Sequence, residues 1–319
     1  MKAAAFSLVV LTLNVAGPRR IHQGWPTRRE SIVARLKTAN IDAAAFQEVW
    51  RGEDLDALEN AAGHGHAAAD LALGLGITSR LPVESSSSRG LGGGWGVLRA
   101  RLSEGKSRFD VYSARLEPGE GPASPRRLAQ LFRLTEFVRA ESSTCPYVLL
   151  GDLGVASDER EPELLLDLLE ARDLCVSHGD EVCGRTLGER RVDYALIPYS
   201  SRPPREYART TFTDMFTDDE QPGVAHFGLR ASLDGRFPSL RPASAPPGRD
   251  EALAAIETSL ENARQDVERR VVEAGWVPFL GAYRAAAAAD ELAGLTALEE
   301  EVRSARLRGV KREIPATPE

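Results

Sequence analysis

Cysteines, long apolar runs and an excess of basic residues are scarce or absent in this chain of 319 residues, and each lack argues against a class of protein. Three cysteines are too few, and odd in number, for a disulfide scaffold, and no cysteine or histidine spacing fits a zinc site. No apolar run approaches the roughly 18 residues that a membrane helix requires. The formal charge of −7 lacks the basic excess of a broad nucleic-acid-binding face.

The N-terminal stretch MKAAAFSLVVLTLNVAG permits two interpretations. A lysine followed by an apolar run resembles a signal peptide. Residues Phe6 to Leu13 could instead form a first buried strand. We favour the strand because the run leads directly into Asn14 and Gly17, which are typical of a strand end and loop. The compartment stays open, with the cytoplasm favoured over secretion.

Residues 1–235 alternate short apolar runs with amphipathic segments, which predicts an α+β domain of packed sheets covered by helices. Thr27 is the predicted N-cap of the first helix, with Glu30 three residues later. The glycine-rich stretch 90–96 is predicted to be a turn before a strand. The HGH stretch at 64–66 is interpreted as a solvated loop. Strands are predicted for FSLVVLTLNV, DAAAFQEV, LGITSRLPV, GWGVLRARL, SRFDVYSARL, PYVLLGDL, RVDYALIP and HFGLRASL, and helices for TRRESIVARLKTAN, PRRLAQLFRLTEFVRAES and EPELLLDLLEARDL.

The composition changes after residue 235. Residues 236–250 are rich in proline and predict a linker. Residues 251–312 carry apolar positions three and four apart and predict a helical extension, and residues 313–319 predict a disordered tail. The extension is expected to pack as a cap on the main domain. The alternative is a surface for self-association or for a protein partner.

Five polar residues lie at the ends of predicted strands or within them. Their recurrence along successive strands suggests that they form one site. Acids in apolar strands are costly to desolvate unless they are paired or bound to a cation. A lone example is usually a satisfied structural acid, but five in chain order make that interpretation weaker. They are Asn14, Glu48, Asp152, Asp193 and His226.

These residues lie in motifs that resemble the endonuclease/exonuclease/phosphatase superfamily of DNase I-like and neutral sphingomyelinase-like proteins. The matching pieces are LTLNVAG, FQEVW, LGITSRLPV, LEPGEGPASPRRLAQLFRLTEFV, VLLGDL, RVDYALIP and AHFGLRASL, over residues 6 to about 233. The resemblance implies a four-layer α/β/β/α sandwich, here followed by a C-terminal α-helical extension. An unrelated α/β domain with chance matches is the remaining alternative.

The chemistry that the resemblance implies is metal-assisted attack of water on a phosphoester. Asn14 and Glu48 would hold Mg²⁺ or Mn²⁺, which favour oxygen ligands. Asp152 would orient or deprotonate the water. His226 would face the phosphate, with Asp193 holding its imidazole ring.

Three elements of the family pattern are altered in this sequence. The G-D-x-N pattern ends in Gly154, and the expected Thr-His pair is replaced by Ala114 and Arg115. The expected S-D-H becomes Val-Ala-His, so that Ala225 stands in place of an acid. Arg115 could clamp a phosphate but cannot shuttle a proton at neutral pH. Metal binding is therefore expected to be weak or absent.

Two functions follow. The first is a pseudoenzyme or binding module with a degenerate site and little or no hydrolytic activity. The alternative is a metal-dependent phosphoesterase of the phosphodiesterase, sphingomyelinase or nuclease type, with a phosphoester substrate. If the fold is intact, Gly154→Asn, Arg115→His and Ala225→Asp together are expected to recover activity.

Overall fold

Two six-stranded β-sheets form the centre of the protein. The computed structural model describes residues 7–18, 24–105, 107–119, 125–143, 145–156, 160–174, 186–187, 190–198, 210–212, 228–234, 249–274 and 293–304. Within these ranges we find no helix whose length and hydropathy would let it cross a membrane.

Sheet A contains one parallel pair of strands, β1 (Ser7–Asn14) with β2 (Ala43–Gln47), and all its other neighbouring strands are antiparallel. The first strand, which the sequence left open to a second interpretation as a signal peptide, lies inside this sheet between two partners. In spatial order the strands are β11 (Thr210–Phe212), β12 (Gly228–Asp234), β1 (Ser7–Asn14), β2 (Ala43–Gln47), β4 (Leu75–Ser79) and β3 (His66–Asp70).

Sheet B also contains a single parallel pair, β7 with β8. Its first two strands form a hairpin that turns at Gly93 and Gly94, whose φ angles of 66° and 84° suit glycine. This confirms the predicted glycine-rich turn. In spatial order the strands are β5 (Val83–Gly92), β6 (Trp95–Glu104), β7 (Ser107–Arg115), β8 (Tyr147–Asp152), β10 (Asp193–Pro198) and β9 (Ala171–Asp173).

Six helices are described, two on the side of sheet A and four on the side of sheet B. The first two pack on the outer face of sheet A, the third and fourth pack on sheet B, and the fifth packs on the third and fourth. The helices are α1 (Trp25–Leu36), α2 (Gly52–Ala62), α3 (Pro125–Glu141), α4 (Arg160–Leu169), α5 (Arg249–Ala274) and α6 (293–304).

Three apolar cores separate the layers. The inter-sheet core contains Val10 and Ile77 of sheet A against Val111 and Leu150 of sheet B. A second core lies between sheet A and α1 and α2, and a third lies between sheet B and its helices. Alternate residues of each strand serve the two cores that border its sheet, as the two-residue period of a strand requires. The predicted four-layer sandwich is therefore confirmed.

The predicted start of the first helix is wrong. The helix begins at Trp25, its N-cap is Gly24, and no side chain caps it. Pro26 occupies the first turn, where its fixed φ favours helix and its missing N–H costs nothing. Thr27 consequently lies inside the helix, and its carbonyl oxygen accepts a hydrogen bond from Ser31.

Helix α5 of the C-terminal extension packs on α3 and α4, the helices that cover the outer face of sheet B. Leu253, Ile256 and Leu260 of α5 are fully buried, and each such side chain contributes about 1.5–3 kcal/mol by leaving water. Ion pairs of Arg264 with Glu299 and of Arg303 with Glu257 join α5 to α6. Most of the predicted linker and the whole predicted tail lie outside the described residues, and the proposed domain boundaries stay a prediction.

Candidate functional site

Strand periodicity brings polar side chains of both sheets to one end of the sandwich. Leu8 and Val10 of β1 face the inter-sheet core, so Thr12 and Asn14 face the same way. The same alternation places between the sheets the side chains of Gln47, Ser113, Arg115, Asp152 and Asp193.

A buried polar bridge joins the sheets directly beneath this end. Thr12 Oγ1 donates to Gln47 Oε1 at 3.3 Å, and Gln47 Nε2 donates to Ser113 Oγ at 3.0 Å. Ser113 Oγ donates in turn to the carbonyl of Phe46 at 3.0 Å. Because the three polar side chains are fully buried, an unmet partner in this bridge would be costly. The bridge therefore fixes the strand ends of the two sheets relative to one another.

Asn14 connects two carboxylates that lie on different sheets. Its Nδ2 donates to Glu48 Oε1 at 3.0 Å and to Asp152 Oδ2 at 2.8 Å. Its Oδ1 accepts from the backbone N–H of Ala16 at 2.9 Å. Since a backbone N–H is only ever a donor, this last bond fixes which end of the amide faces the carboxylates. Asn14 therefore presents its nitrogen, not its oxygen, to Glu48 and Asp152.

Glu48 reaches the site through an uncommon backbone conformation. Strict alternation after Gln47 would aim its side chain at the helices, but its φ is +58°, in the left-handed region that non-glycine residues seldom adopt. A Cβ on Gly17 would lie 2.5 Å from the Glu48 carbonyl oxygen, so the adjacent chain must be glycine. Such strain is concentrated at functional sites in proteins. The turn at Glu48 brings its carboxylate back toward Asn14.

Arg115 supplies the positive charge of the site. Its NH2 donates to Glu48 Oε1 at 2.8 Å, and its side chain is only 12% exposed. The guanidinium lies 4.1 Å from the ring centroid of Trp95 and 5.8 Å from that of Trp50, both within cation–π range. We refer to Asn14, Glu48, Arg115 and Asp152 together as the Arg115 cluster.

Asp152 and Asp193 stand opposite each other where β8 pairs with β10. Directly opposite residues of an antiparallel pair share a face of the sheet, so both side chains point between the sheets. Asp152 Oδ1 accepts from the backbone N–H of Gly154 at 3.0 Å, and the backbone N–H of Asp193 donates to Thr186 Oγ1 at 3.1 Å. The structure thus brings four of the five predicted strand-end residues to one end of the sandwich. His226 lies outside the described residues.

Gly154 is fixed by its surroundings as well as by its backbone angle. Its φ is +67°, and a Cβ there would lie 2.7 Å from Pro118 Cα and 2.8 Å from the Glu117 carbonyl oxygen. The 116–119 segment is held against it, because Gly119 N donates to the Gly154 carbonyl at 3.0 Å. Backbone therefore fills the place of the asparagine side chain of the family pattern. The structure opposes the Gly154→Asn part of the expected restoration.

The donor set of the Arg115 cluster can be compared with the needs of a divalent ion. Mg²⁺ requires oxygen ligands at about 2.0–2.1 Å in near-octahedral geometry. Asn14 turns its nitrogen to the carboxylates, and Glu48 Oε1 already accepts from both Asn14 and Arg115. Among the described residues no three of the types His, Cys, Asp and Glu are grouped so as to hold an ion. In this arrangement the described residues do not fit bound Mg²⁺.

Some features of the site and its surroundings differ from the sequence interpretation. The sequence interpretation gave no role to Trp50 and Trp95, although they lie within the motifs FQEVW and GLGGGWG. The solvated-loop interpretation of the HGH stretch is wrong for His64, which is buried and contacts Thr78 and Ile41. His66, in contrast, is exposed on β3.

The family model for the "Endonuclease/Exonuclease/phosphatase family" matches residues 11–217, which include Asn14, Glu48, Arg115, Asp152 and Asp193. The chain belongs to this family. No curated protein matches the chain significantly. The endonuclease/exonuclease/phosphatase match ends before α5, so the C-terminal helices lie beyond the matched part.

Solved structures show the same fold at low identity. D. rerio TDP2 complexed with a single-strand DNA product has a TM-score of 0.57 and 15% identity, over 71% of this chain and 98% of that one. Sphingomyelinase C from Streptomyces griseocarneus has a TM-score of 0.53 and 16% identity, over 71% and 99%. An endonuclease/exonuclease/phosphatase family protein from Bacteroides thetaiotaomicron has a TM-score of 0.56 and 12% identity, over 73% and 100%.

Proposed function

We propose that this chain is a member of the endonuclease/exonuclease/phosphatase family that serves as a binding module and has little or no hydrolytic activity. The observation that carries the proposal is the Arg115–Glu48 ion pair of 2.8 Å. It places a fixed guanidinium on the carboxylate that the family resemblance assigns to a metal. Family members typically use divalent metals, so a cation already attached to Glu48 opposes the family's chemistry.

The other departures act in the same direction. Gly154 offers no side chain to a phosphate or a water, and Ala225 cannot support a metal. Losing one preorganised donor costs about 2.7–4 kcal/mol of transition-state stabilisation, and general acid–base assistance contributes about 10²–10⁴-fold per group. The losses are not additive, but together they support a fall in turnover of several orders of magnitude.

A specific observation favours the alternative, a metal-dependent phosphoesterase. Asn14, Glu48 and Asp152 are all retained and contact one another, with Asp193 opposite Asp152. If the Arg115–Glu48 pair opened when substrate arrived, Asp152 would be placed to orient a water molecule. The phosphate-clamping role of Arg115 belongs to this alternative as well, and the ion pair with Glu48 competes with it.

The two functions are distinguished by a hydrolysis screen. Wild-type protein and Asp152→Asn are assayed on bis(p-nitrophenyl) phosphate and p-nitrophenyl phosphate with Mg²⁺ and with Mn²⁺. Asparagine keeps the shape of Asp152 but cannot accept a proton at neutral pH. We expect equal background rates for the two proteins. Wild-type turnover that falls at least 100-fold in Asp152→Asn, with unchanged thermal unfolding, would establish the phosphoesterase instead.

A further inference from the structure

The Arg115 cluster concentrates negative charge in a nearly closed space. Glu48 Oε1 and Asp152 Oδ2 both lie within 3.0 Å of the one nitrogen Nδ2 of Asn14. Asn14 is fully buried and Asp152 is 7% exposed. Two carboxylates brought so close together repel each other, and a cation placed beside them offsets that repulsion.

Arg115 supplies such a cation from the end of β7. Its register partner on the parallel strand β8 is Asp152, and its guanidinium contacts Glu48 of sheet A. The guanidinium lies over the rings of both Trp50 and Trp95. A guanidinium stays charged at every physiological pH. The cation is therefore permanent and is placed by the fold.

We propose that Arg115 is a built-in replacement for a divalent ion, which joins the ends of β1, β2, β7 and β8 and keeps metal away from Glu48. The proposal deepens the proposed function, because it names the residue that determines the loss of metal. A divalent ion on Glu48 Oε1 would stand beside a guanidinium nitrogen 2.8 Å from the same oxygen, and the like charges would repel one another.

One consequence separates this role from that of an ordinary ion pair. Without the guanidinium, the two carboxylates lose their compensating cation and Glu48 loses its competing donor. A divalent ion can then take the place of that cation. Removing Arg115 is therefore expected to convert a metal-indifferent protein into one that a metal stabilises.

The test uses Arg115→Met in the full-length chain, because methionine keeps an unbranched apolar stem near Trp50 and Trp95. Thermal unfolding is followed in EDTA and in rising concentrations of Mg²⁺, Mn²⁺ and Ca²⁺. We expect wild type to shift by less than about 1 °C, and Arg115→Met to melt lower in EDTA. At tenfold its Kd a metal raises the folding constant about elevenfold, which corresponds to a rise in Tm of roughly 3–6 °C.

Three control variants make the result specific. Arg115→Met with Glu48→Gln should lose the metal response, because the charged ligand is gone. Arg115→Lys retains a cation and should remain indifferent to metal. Arg99→Met removes another buried arginine of sheet B, which pairs with Glu141, and should melt lower without any metal response.

Every outcome decides the proposal. A wild-type Tm that rises with metal as much as that of Arg115→Met overturns it, as does an Arg115→Met that ignores all three ions. If Arg115→Met is unfolded in EDTA, refolding by an ion supports the proposal and failure of every ion to refold it overturns it. Hydrolysis by wild type would overturn the proposed function alone, provided that its Tm stays indifferent to metal.

Discussion

Two arginine–acid clusters lie near opposite ends of β7. They differ in the face of sheet B on which they lie and in their backbone conformation. Near its beginning, Asp110 accepts from Arg101 Nε and NH2, both at 2.8 Å, and from Ser142 Oγ at 2.6 Å. Arg99 completes this group, which we call the Asp110 cluster. Asp110 shares the helix-facing side of sheet B with Tyr112, whereas Arg115 faces sheet A.

The backbone distinguishes the two clusters. Asp110, Arg99 and Arg101 all lie in regular strands with extended backbone. The Arg115 cluster instead depends on left-handed conformations at Glu48 and at the neighbouring Ala16, with φ angles of 58° and 47°. Backbone strain of this kind is concentrated at functional sites in proteins. The comparison indicates that backbone conformation, more than ion pairing itself, distinguishes the candidate site from the Asp110 cluster.

The largest effect that this comparison predicts is on stability at the structural end. Asp110→Ala leaves the partly buried guanidiniums of Arg99 and Arg101 without their shared acid and is expected to lower the free energy of unfolding by about 3–5 kcal/mol. Glu48→Ala should cost less, roughly 1–2 kcal/mol, because Glu48 is 24% exposed. Urea unfolding measures both.

Glu104→Ala is the control for these two variants, since Glu104 is exposed at the end of β6. It should change the unfolding free energy by no more than about 0.5 kcal/mol. Equal losses for Asp110→Ala and Glu48→Ala would remove the proposed difference between the clusters.

A smaller predicted effect on stability distinguishes steric exclusion from backbone strain at Gly154 of the candidate site. Gly154 and Gly63 share a φ of +67°, but a Cβ on Gly63 would meet nothing within 4 Å. Gly63→Asn should therefore cost about 1 kcal/mol or less, since asparagine tolerates this conformation at a helix end. Gly154→Asn should cost roughly 1–3 kcal/mol more, because it forces backbone apart.

The same urea unfolding series compares the two asparagine variants. Similar losses of unfolding free energy would show that the 116–119 segment can move aside at little cost. The family asparagine would then be compatible with this chain. A larger loss at position 154 would show that the altered motif is built into the backbone.

The smallest predicted effect is the pH dependence of stability that arises from His64, a residue of neither cluster. Burial lowers the pKa of His64 from its ordinary value of 6.5. The carbonyl of Ile41 can only accept, so Nε2 donates to it at 3.1 Å while Nδ1 accepts from Thr78 Oγ1 at 2.7 Å. The neutral ring satisfies both bonds, and the lowered pKa favours that form. The folded protein therefore binds fewer protons here than the unfolded chain, and stability should fall as pH drops below about 6.5.

Measuring Tm between pH 7.5 and pH 5 tests this contribution of His64 to stability. His64→Gln should flatten the decline, whereas the exposed His66→Gln should leave it unchanged. A decline that persists fully in His64→Gln would assign it to other groups.

Much of the site could be predicted because it depends on a two-residue period. Once β1 and β8 were recognised as strands, alternation and the strand ends together placed Asn14 and Asp152 at one end of the sandwich. The pattern also predicted packed sheets covered by helices, and the family resemblance implied the four layers. Local chemistry was less reliable, since Pro26 moved the helix start ahead of the predicted cap at Thr27.

The remainder depended on contacts between residues distant in sequence. Alternation alone would turn Glu48 away, and only the packing of Gly17 against its carbonyl shows why it returns. The sequence interpretation of Arg115 as a possible phosphate clamp did not include its ion pair with Glu48, because that partner lies 67 residues away in sequence. The sequence pattern identified the residues of the candidate site but could not show that Arg115 pairs with Glu48.

The central claim is that a guanidinium, and not a divalent ion, occupies the positive position beside Glu48. Titration calorimetry of Mg²⁺ into the wild-type protein tests it most directly. We predict no measurable binding heat up to millimolar concentrations. Micromolar affinity that disappears in Glu48→Ala would contradict the account.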